Sequence, residues 1–264
     1  MVDELVSIAI DAAIEAGDEI MKIYATADFG VEMKSDHSPL TKADLASHNV
    51  IVSHLAGTEI PVLSEEGDEE ILYETRKNWK HCWIVDPLDG TKEFIKRNGE
   101  FTVNIALVEE GIPLFGVIYA PALGDLYYSI PEVGAFKVIR DDHSLHRFDF
   151  KLEEQLPIQY LPDKFTIAGS RSHSSPETEE YIQVMQAKHG EIDFIASGSS
   201  LKFCLVAEGK AHAYPRFAPT MEWDTAAGHA ILVAAGGTVV TWPEQLPLMY
   251  NREELLNPWF LAAR

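Results

Sequence analysis

Asp86 and Asp89 stand three residues apart in Asp86-Pro87-Leu88-Asp89-Gly90-Thr91-Lys92-Glu93-Phe94, directly after the apolar run Cys82-Trp83-Ile84-Val85. That run predicts a buried strand halted by Asp86-Pro87. Both carboxylates would then project from the strand's carboxyl end, where open sheets place ligands. Pro87 and Gly90 impose a tight, irregular path that can also turn a backbone carbonyl, such as that of Leu88, toward a cation. Gly90-Thr91 then opens a short helix whose free amides suit an anion. Hard carboxylate and carbonyl oxygens beside such an amide cradle fit Mg²⁺ and a phosphate. An isolated Asp-x-x-Asp-Gly is equally at home in a pair of turns, so the reading needs partners. Ser64-Glu65-Glu66 puts acids at the end of another short strand. Glu222-Trp223-Asp224-Thr225-Ala226-Ala227-Gly228 sets Asp224 at a helix start among small residues. Taken singly, Asp224 is a first-turn acid favoured by the helix dipole, Glu65 and Glu66 belong to an acidic loop, and Trp223 is a core residue.

The elements that must position these groups are legible from periodicity and punctuation. Leu5, Ile8, Ala12, Ala16, Ile20 and Ile23 predict an amphipathic helix over 3–25. Ser38-Pro39-Leu40 reads as a loop, and Thr41 as the N-cap of a helix over 42–55. A short strand is expected at 61–64. Seven acids and no base between Glu59 and Glu74 suggest a solvated, mobile loop. Strands at 101–108, 113–119, 126–129 and 134–139 form a meander separated by turn residues. Residues 140–162 are polar and proline-punctuated, as at a domain boundary. Beyond them strand and helix alternate: strands at 165–168, 194–196, 211–214, 238–241 and 260–262, and helices at 176–188, 200–208 and 224–235. The expectation is an α+β domain over 1–160, carrying most of the candidate ligands. It packs on an α/β domain over 161–264 that contributes Asp224, and the cleft between them suits a small molecule.

Composition narrows the partners. With 21 basic and 42 acidic residues the formal charge is −21. This disfavours nucleic-acid polymers, whose phosphates would be repelled, and anionic membrane surfaces. A polyanionic ligand remains open to such a chain only with metal cations between them. The first residues, Met1-Val2-Asp3-Glu4-Leu5, lack the basic region of a signal peptide. The longest apolar run, from Ala230 to Ala235, has six residues, far below the roughly 20 of a membrane span. Cys82 and Cys204 each lie in apolar surroundings and are expected as buried free thiols, which points to a reducing compartment, most simply the cytoplasm.

Asp86-Pro87-Leu88-Asp89-Gly90-Thr91 together with Trp223-Asp224-Thr225-Ala226-Ala227-Gly228 resembles the paired signature of the inositol monophosphatase superfamily. Finer features resemble its CysQ-type 3′(2′),5′-bisphosphate nucleotidase branch. They are Ser38-Pro39-Leu40-Thr41-Lys42-Ala43-Asp44, the stretch from Thr91 to Asn104, the stretch from Gly198 to Gly209, and Tyr214-Pro215-Arg216-Phe217. The likeness spans nearly the whole chain and is weakest over 67–79 and 140–162. It implies a layered α-β-α-β-α sandwich and a Mg²⁺-dependent, lithium-sensitive phosphatase.

Several roles follow from the resemblance. Glu65, Asp86 and the Leu88 carbonyl would hold a first Mg²⁺. Asp86, Asp89 and Asp224 would hold a second, and Glu65 with water a third, weaker one. Thr91, backed by Asp44, would orient and deprotonate the attacking water, because a threonine hydroxyl needs a carboxylate behind it to act as a base. Gly90 and Thr91 amides would bind the scissile phosphate, and Ser199, Lys202, Arg216 and His173 the nucleotide. The implied reaction is removal of the 3′-phosphate of adenosine 3′,5′-bisphosphate (PAP), a by-product of sulfate activation, giving AMP. Activity on the sulfated nucleotide PAPS, the balance with 2′,5′-isomers, monomer against homodimer, and peripheral contact with the inner membrane's cytoplasmic face stay open. An inositol monophosphatase-like enzyme of small phosphorylated polyols or sugars is the alternative, disfavoured by residues 198–209. A non-catalytic cation-binding protein would have no need of Thr91 with Asp44. A carboxylate-pair glycosidase needs one protonated acid rather than a metal cluster.

Overall fold

The structure, a computed structural model, describes residues 2–26, 28–34, 39–67, 71–139, 153–170 and 175–264. Helix α1 (Val2–Tyr24) is followed by an antiparallel pair, β1 (Glu32–Met33) and β2 (Pro39–Leu40), and by α2 (Lys42–Leu55). Next come β3 (Val62–Ser64), the short helix α3 (Tyr73–Arg76), β4 (His81–Asp89) and α4 (Thr91–Ile95). A meander follows: β5 (Thr102–Glu109), β6 (Ile112–Ala120), β7 (Asp125–Ile130), β8 (Gly134–Ile139) and β9 (Glu153–Gln155). The rest alternates through β10 (Thr166–Gly169), α5 (Pro176–His189), β11 (Asp193–Ala196), α6 (Leu201–Ala207) and β12 (Ala213–Arg216). It ends with α7 (Ala226–Ala234), β13 (Thr238–Thr241) and β14 (Phe260–Ala263).

Side-chain alternation along the strands builds five layers. Strands β3 to β9 pair in chain order as a seven-stranded sheet, and a five-stranded sheet runs β11-β10-β12-β14-β13. On β4, Trp83 and Val85 face α1 and α2, where Ala9, Ala13, Ile20 and Ile51 are buried. Cys82 and Ile84 face the other way, onto Phe203, Cys204 and Ile231 of α6 and α7, and this layer continues to Tyr214 and Phe260 of the smaller sheet. The far face of that sheet buries Ile167 and Phe217 against Tyr181 of α5. The order is α-β-α-β-α, as the resemblance implies. The parts expected as separate domains share the middle helical layer. Both cysteines are buried and free. Among the described residues no helix is long and apolar enough to cross a membrane.

Several elements depart from expectation. Strand β4 does not halt at Asp86-Pro87. Asp86 pairs with Asn104 and Asp89 with Thr102, with a register shift between them. Such an irregularity lets a proline, which has no N–H for the ladder, stay within a strand. Pro39-Leu40 is a strand rather than a loop, paired with Met33 and Glu32. The short strand expected at 61–64 does form, as β3, a parallel neighbour of β4. At the end of the acidic stretch α3 buries Arg76, whose guanidinium donates to the carbonyls of Ile71 and Glu253. The helix expected at 224–235 is split: Glu222–Asp224 forms a tighter 3-10 turn before α7. Strand β12 starts two residues later than expected because the Ala211 amide closes the end of α6, donating to Leu205 O at 3.2 Å. Strand β9 extends the sheet within the expected boundary, while 140–152 lie outside the described residues.

Strand β6 and helix α7 approach backbone to backbone. A Cβ on Gly116 would lie 2.4 Å from Ala227 O and 2.7 Å from Ala227 Cα. Gly116→Ala must therefore move α7, and with it the turn bearing Asp224. We expect a loss of about 2–3 kcal/mol, a Tm fall of roughly 5–10 °C, read by thermal denaturation; an unchanged Tm would show that the helix is free to shift.

Candidate active site

The irregularity in β4 presents the carboxylates. Asp86 is buried and its Oδ1 accepts the Leu88 amide at 3.0 Å, which fixes the bulged backbone. Asp89 Oδ2 accepts from Asn104 Nδ2 of β5 at 3.4 Å. From the opposite side, Asp224 Oδ2 accepts the Met221 amide at 2.8 Å, capping its own turn. Asp86, Asp89 and Asp224 thereby each offer an oxygen, all within 4.8 Å of one another. Glu65, one residue past β3, donates its amide to Val85 O at 3.1 Å, and its carboxylate accepts from Lys34 Nζ at 2.8 Å.

This packing of acids is electrostatically unfavourable by itself. Burial first, then the charges of Glu65, Asp89 and Asp224, push the Asp86 carboxyl well above the usual range. Burial raises Asp89 to about 6 although Lys202 pulls it down. Burial and the charge of Asp89 raise Asp224 to about 8. Three hard-oxygen donors whose ionisation is opposed by burial and mutual charge, Asp86 and Asp224 most strongly, are a donor set for a divalent cation, which would offset the charge they hold. The residues present fit such an ion.

Asp44 and Thr91 meet next to this cluster. Asp44 is the third residue of α2 and closes a capping box: its Oδ2 accepts from the Thr41 amide at 2.7 Å and the Thr41 hydroxyl at 2.6 Å. Its Oδ1 accepts from Thr91 Oγ1 at 3.1 Å. Burial pushes the Asp44 carboxyl up, against the hydrogen bonds from Thr41 and Thr91. Thr91 opens α4 after Gly90, whose φ of 92° lies in the left-handed region.

The second half of the chain supplies cations. A cavity of about 140 Å³ is lined by Asp89, Gly90 and Asp224 together with Ser199, Lys202 and Arg216. The ammonium of Lys202 is buried, donates to Ser197 O at 3.3 Å and to Ser199 O, and lies 5.4 Å from the Tyr214 ring centroid. Burial, with Arg216 acting in the same direction, lowers it to about 8. Arg216 Nη2 donates to Pro219 O at 2.9 Å, while its Nε is buried with no partner among the described residues. A buried cationic donor without an acceptor awaits an anion. Trp223 is half-buried rather than fully in the core. The structure thus brings together Asp44, Asp86, Asp89, Thr91 and Asp224, and across the cavity Ser199, Lys202 and Arg216. His173 lies outside the described residues.

Some contributors were not singled out from sequence. Thr102 Oγ1 donates to Asn104 Oδ1 at 3.0 Å and bonds Ser200 Oγ at 2.8 Å, linking β5 to the start of α6. Alternation shows only that Thr102 and Asn104 share a strand face; the Ser200 hydroxyl that joins them lies almost a hundred residues away. Lys34, which bridges Glu65 and Glu66, carries no local signal beyond its charge.

The model of the inositol monophosphatase family matches residues 1–263. The 3′(2′),5′-bisphosphate nucleotidase CysQ of Shigella flexneri is 47% identical over 255 residues, covering 95% of this chain and 96% of that one. The nucleotidase of the same name from Escherichia coli K12 is 46% identical over equal shares. Among solved structures, CysQ from Bacteroides thetaiotaomicron, a bacterial member of the inositol monophosphatase family, superposes with a TM-score of 0.88 at 51% identity, covering 98% of this chain and 97% of that one.

The raised carboxyls set a pH dependence. Asp224 holds its proton to about pH 8 in the folded chain, against 3.8 for an ordinary aspartate. Its ionisation therefore removes stability as pH rises between these values, because the folded state binds more protons there. In chelated protein the stability gap between Asp224→Asn and wild type should widen from pH 5 to pH 8, reaching about 1–2 kcal/mol or roughly 2–6 °C in Tm. A divalent cation should reverse the order. A gap that stays constant with pH would show that the cluster is not strained.

Proposed function

The chain belongs to the inositol monophosphatase family, and on that premise we propose that it is a Mg²⁺-dependent, lithium-sensitive 3′(2′),5′-bisphosphate nucleotidase removing the 3′-phosphate of PAP to leave AMP and inorganic phosphate. The observation that carries this reading is one cavity lined by both acids and bases, Asp89 and Asp224 with Lys202 and Arg216. A substrate with two phosphates answers both sets of charges, the acids through the cations they would hold and the bases directly. A polyol monophosphate would leave the buried Arg216 Nε without an acceptor. The shared name of the high-identity relatives supports the same choice.

Glu65, Asp86, Asp89, Asp224 and the Leu88 carbonyl would hold two Mg²⁺ ions, with Glu65 available to a third. Bound there, Mg²⁺ supplies the charge that acidifies water and stabilises the departing ribose oxygen. Thr91 aims the attacking water and takes its proton as its own hydroxyl proton passes to Asp44 Oδ1. That oxygen is available because Oδ2 is committed to Thr41, and burial makes Asp44 a stronger base than a surface carboxylate. The Gly90 and Thr91 amides hold the scissile phosphate. Lys202 and Arg216 clamp the 5′-phosphate, with Ser199 beside it. The P–O ester bond breaks as the water oxygen bonds to phosphorus, and the ribose oxygen leaves with the bond's electron pair and takes a proton from solvent water. The free thiols of Cys82 and Cys204 suit a reducing cytoplasm, where the enzyme would clear a by-product of sulfate activation.

Phosphate release from PAP should require Mg²⁺ and fall with millimolar lithium. A clear preference for inositol monophosphate or fructose 1,6-bisphosphate would overturn the substrate assignment. Activity indifferent to lithium would overturn the second-cation assignment. Thr91→Ala and Asp44→Asn should each lower kcat by roughly 10²–10⁴-fold while the Mg²⁺-induced rise in Tm persists. Retained turnover in both variants would remove this pair from the chemistry.

A further inference from the structure

Glu100 sits between two loops that meet at the cavity. It follows Gly99 at the end of the turn after α4 and precedes the start of β5. Its carboxylate Oε2 accepts the Gly198 amide at 2.8 Å, a bond from the larger-sheet half of the chain to the smaller-sheet half. Its backbone oxygen lies where neither loop can carry a side chain. A Cβ on Gly90 would come within 3.1 Å of Glu100 O, and one on Gly198 within 2.8 Å. The same Gly90 Cβ would lie 3.3 Å from Ser199 Cβ. Glu100 is therefore wedged between the turn that leads from the acids to Thr91 and the loop that leads to Lys202.

The loop on the far side needs such a hold. Ser199 has φ +42°, left-handed backbone in a residue other than glycine, a conformation that persists only when surroundings impose it. The Lys202 ammonium is folded back onto the carbonyls of Ser197 and Ser199, so its position follows the path of those residues. A carboxylate accepting a backbone amide is a charge-assisted bond that can impose that path.

We propose that Glu100 is a positioning residue that sets the spacing between the two phosphate sites, and so determines the preference for a bisphosphate over a monophosphate. It touches neither phosphate. It acts through Gly198 and Ser199 on Lys202. The inference rests on the function proposed above and assigns that function's selectivity to a residue outside the ligand-binding set. A substrate with a single phosphate at the acids does not read this distance, whereas a substrate that must reach Lys202 and Arg216 together does.

The test compares a nucleoside 3′,5′-bisphosphate with the matching 3′-monophosphate, on wild type, Glu100→Ala and Glu100→Gln, each with Mg²⁺. In Glu100→Ala the KM for the bisphosphate should rise about 10-fold or more, the usual scale for losing a hydrogen bond to a charged group. Turnover of the monophosphate and the Mg²⁺-induced Tm rise should stay near wild type. Glu100→Gln, which keeps a side-chain oxygen for the Gly198 amide, should recover part of the bisphosphate KM. Equal losses on both substrates, or a lost Mg²⁺ response in both variants, would make Glu100 a merely structural residue and overturn the proposal. So would unchanged kinetics on both substrates. A wild type without any preference for the bisphosphate would instead overturn the functional assignment on which the proposal stands.

Discussion

Mutual repulsion among buried carboxylates is the constraint around which this site is built. Asp86, Asp89 and Asp224 converge from two different parts of the chain, and burial alone already disfavours their charged forms. A fold tolerates such a cluster only if the backbone leaves it no escape. The Leu88 amide holds Asp86, Asn104 holds Asp89, and the Met221 amide holds Asp224. Each of these bonds stabilises a position that is costly until a cation offsets the charge. The strain is thus stored locally, in a bulge and a 3-10 turn, while the sheets and helices around it remain regular.

The same cavity pairs that excess of acid with an excess of base. Lys202 is buried against an aromatic ring and Arg216 keeps a buried Nε unpartnered. Opposite charges this near would ordinarily collapse into ion pairs. Here Lys202 is diverted to the carbonyls of its own loop, and the acids are fastened to backbone amides. Both sets therefore keep unspent electrostatic potential facing one small volume, which is the arrangement a metal-bridged polyanion requires.

Much of this was legible in the residues. Alternating apolar positions give the meander, and strand-helix alternation gives the second half, because burial on a layered fold writes its period into the sequence. Asp86, Asp89 and Asp224 declare themselves through adjacency to apolar strands and to glycine or small residues. What local reading missed has a common cause. Asp86-Pro87 reads as a strand stop, yet the neighbouring β5 carries the strand through by a register shift. The Asp44 carboxylate reads as an ordinary first-turn acid, because the hydroxyl it accepts comes from forty-seven residues further on. Thr102, Asn104 and Ser200 form one polar group only after the start of α6 has packed on β5. Propensity and spacing see along the chain; these contacts run across it.

The middle layer, in which Gly116 brings β6 against the backbone of α7, carries a consequence for the mechanics of the molecule. Two lobes joined by a flexible strap can open and close like a jaw. Two sheets glued to the same helices cannot, because any opening would pull apart close-packed interior. The aperture is accordingly that of a rigid vise set at manufacture. Ligands of different length would be accommodated by altering the loops at its rim, with the angle between the sheets left as it is.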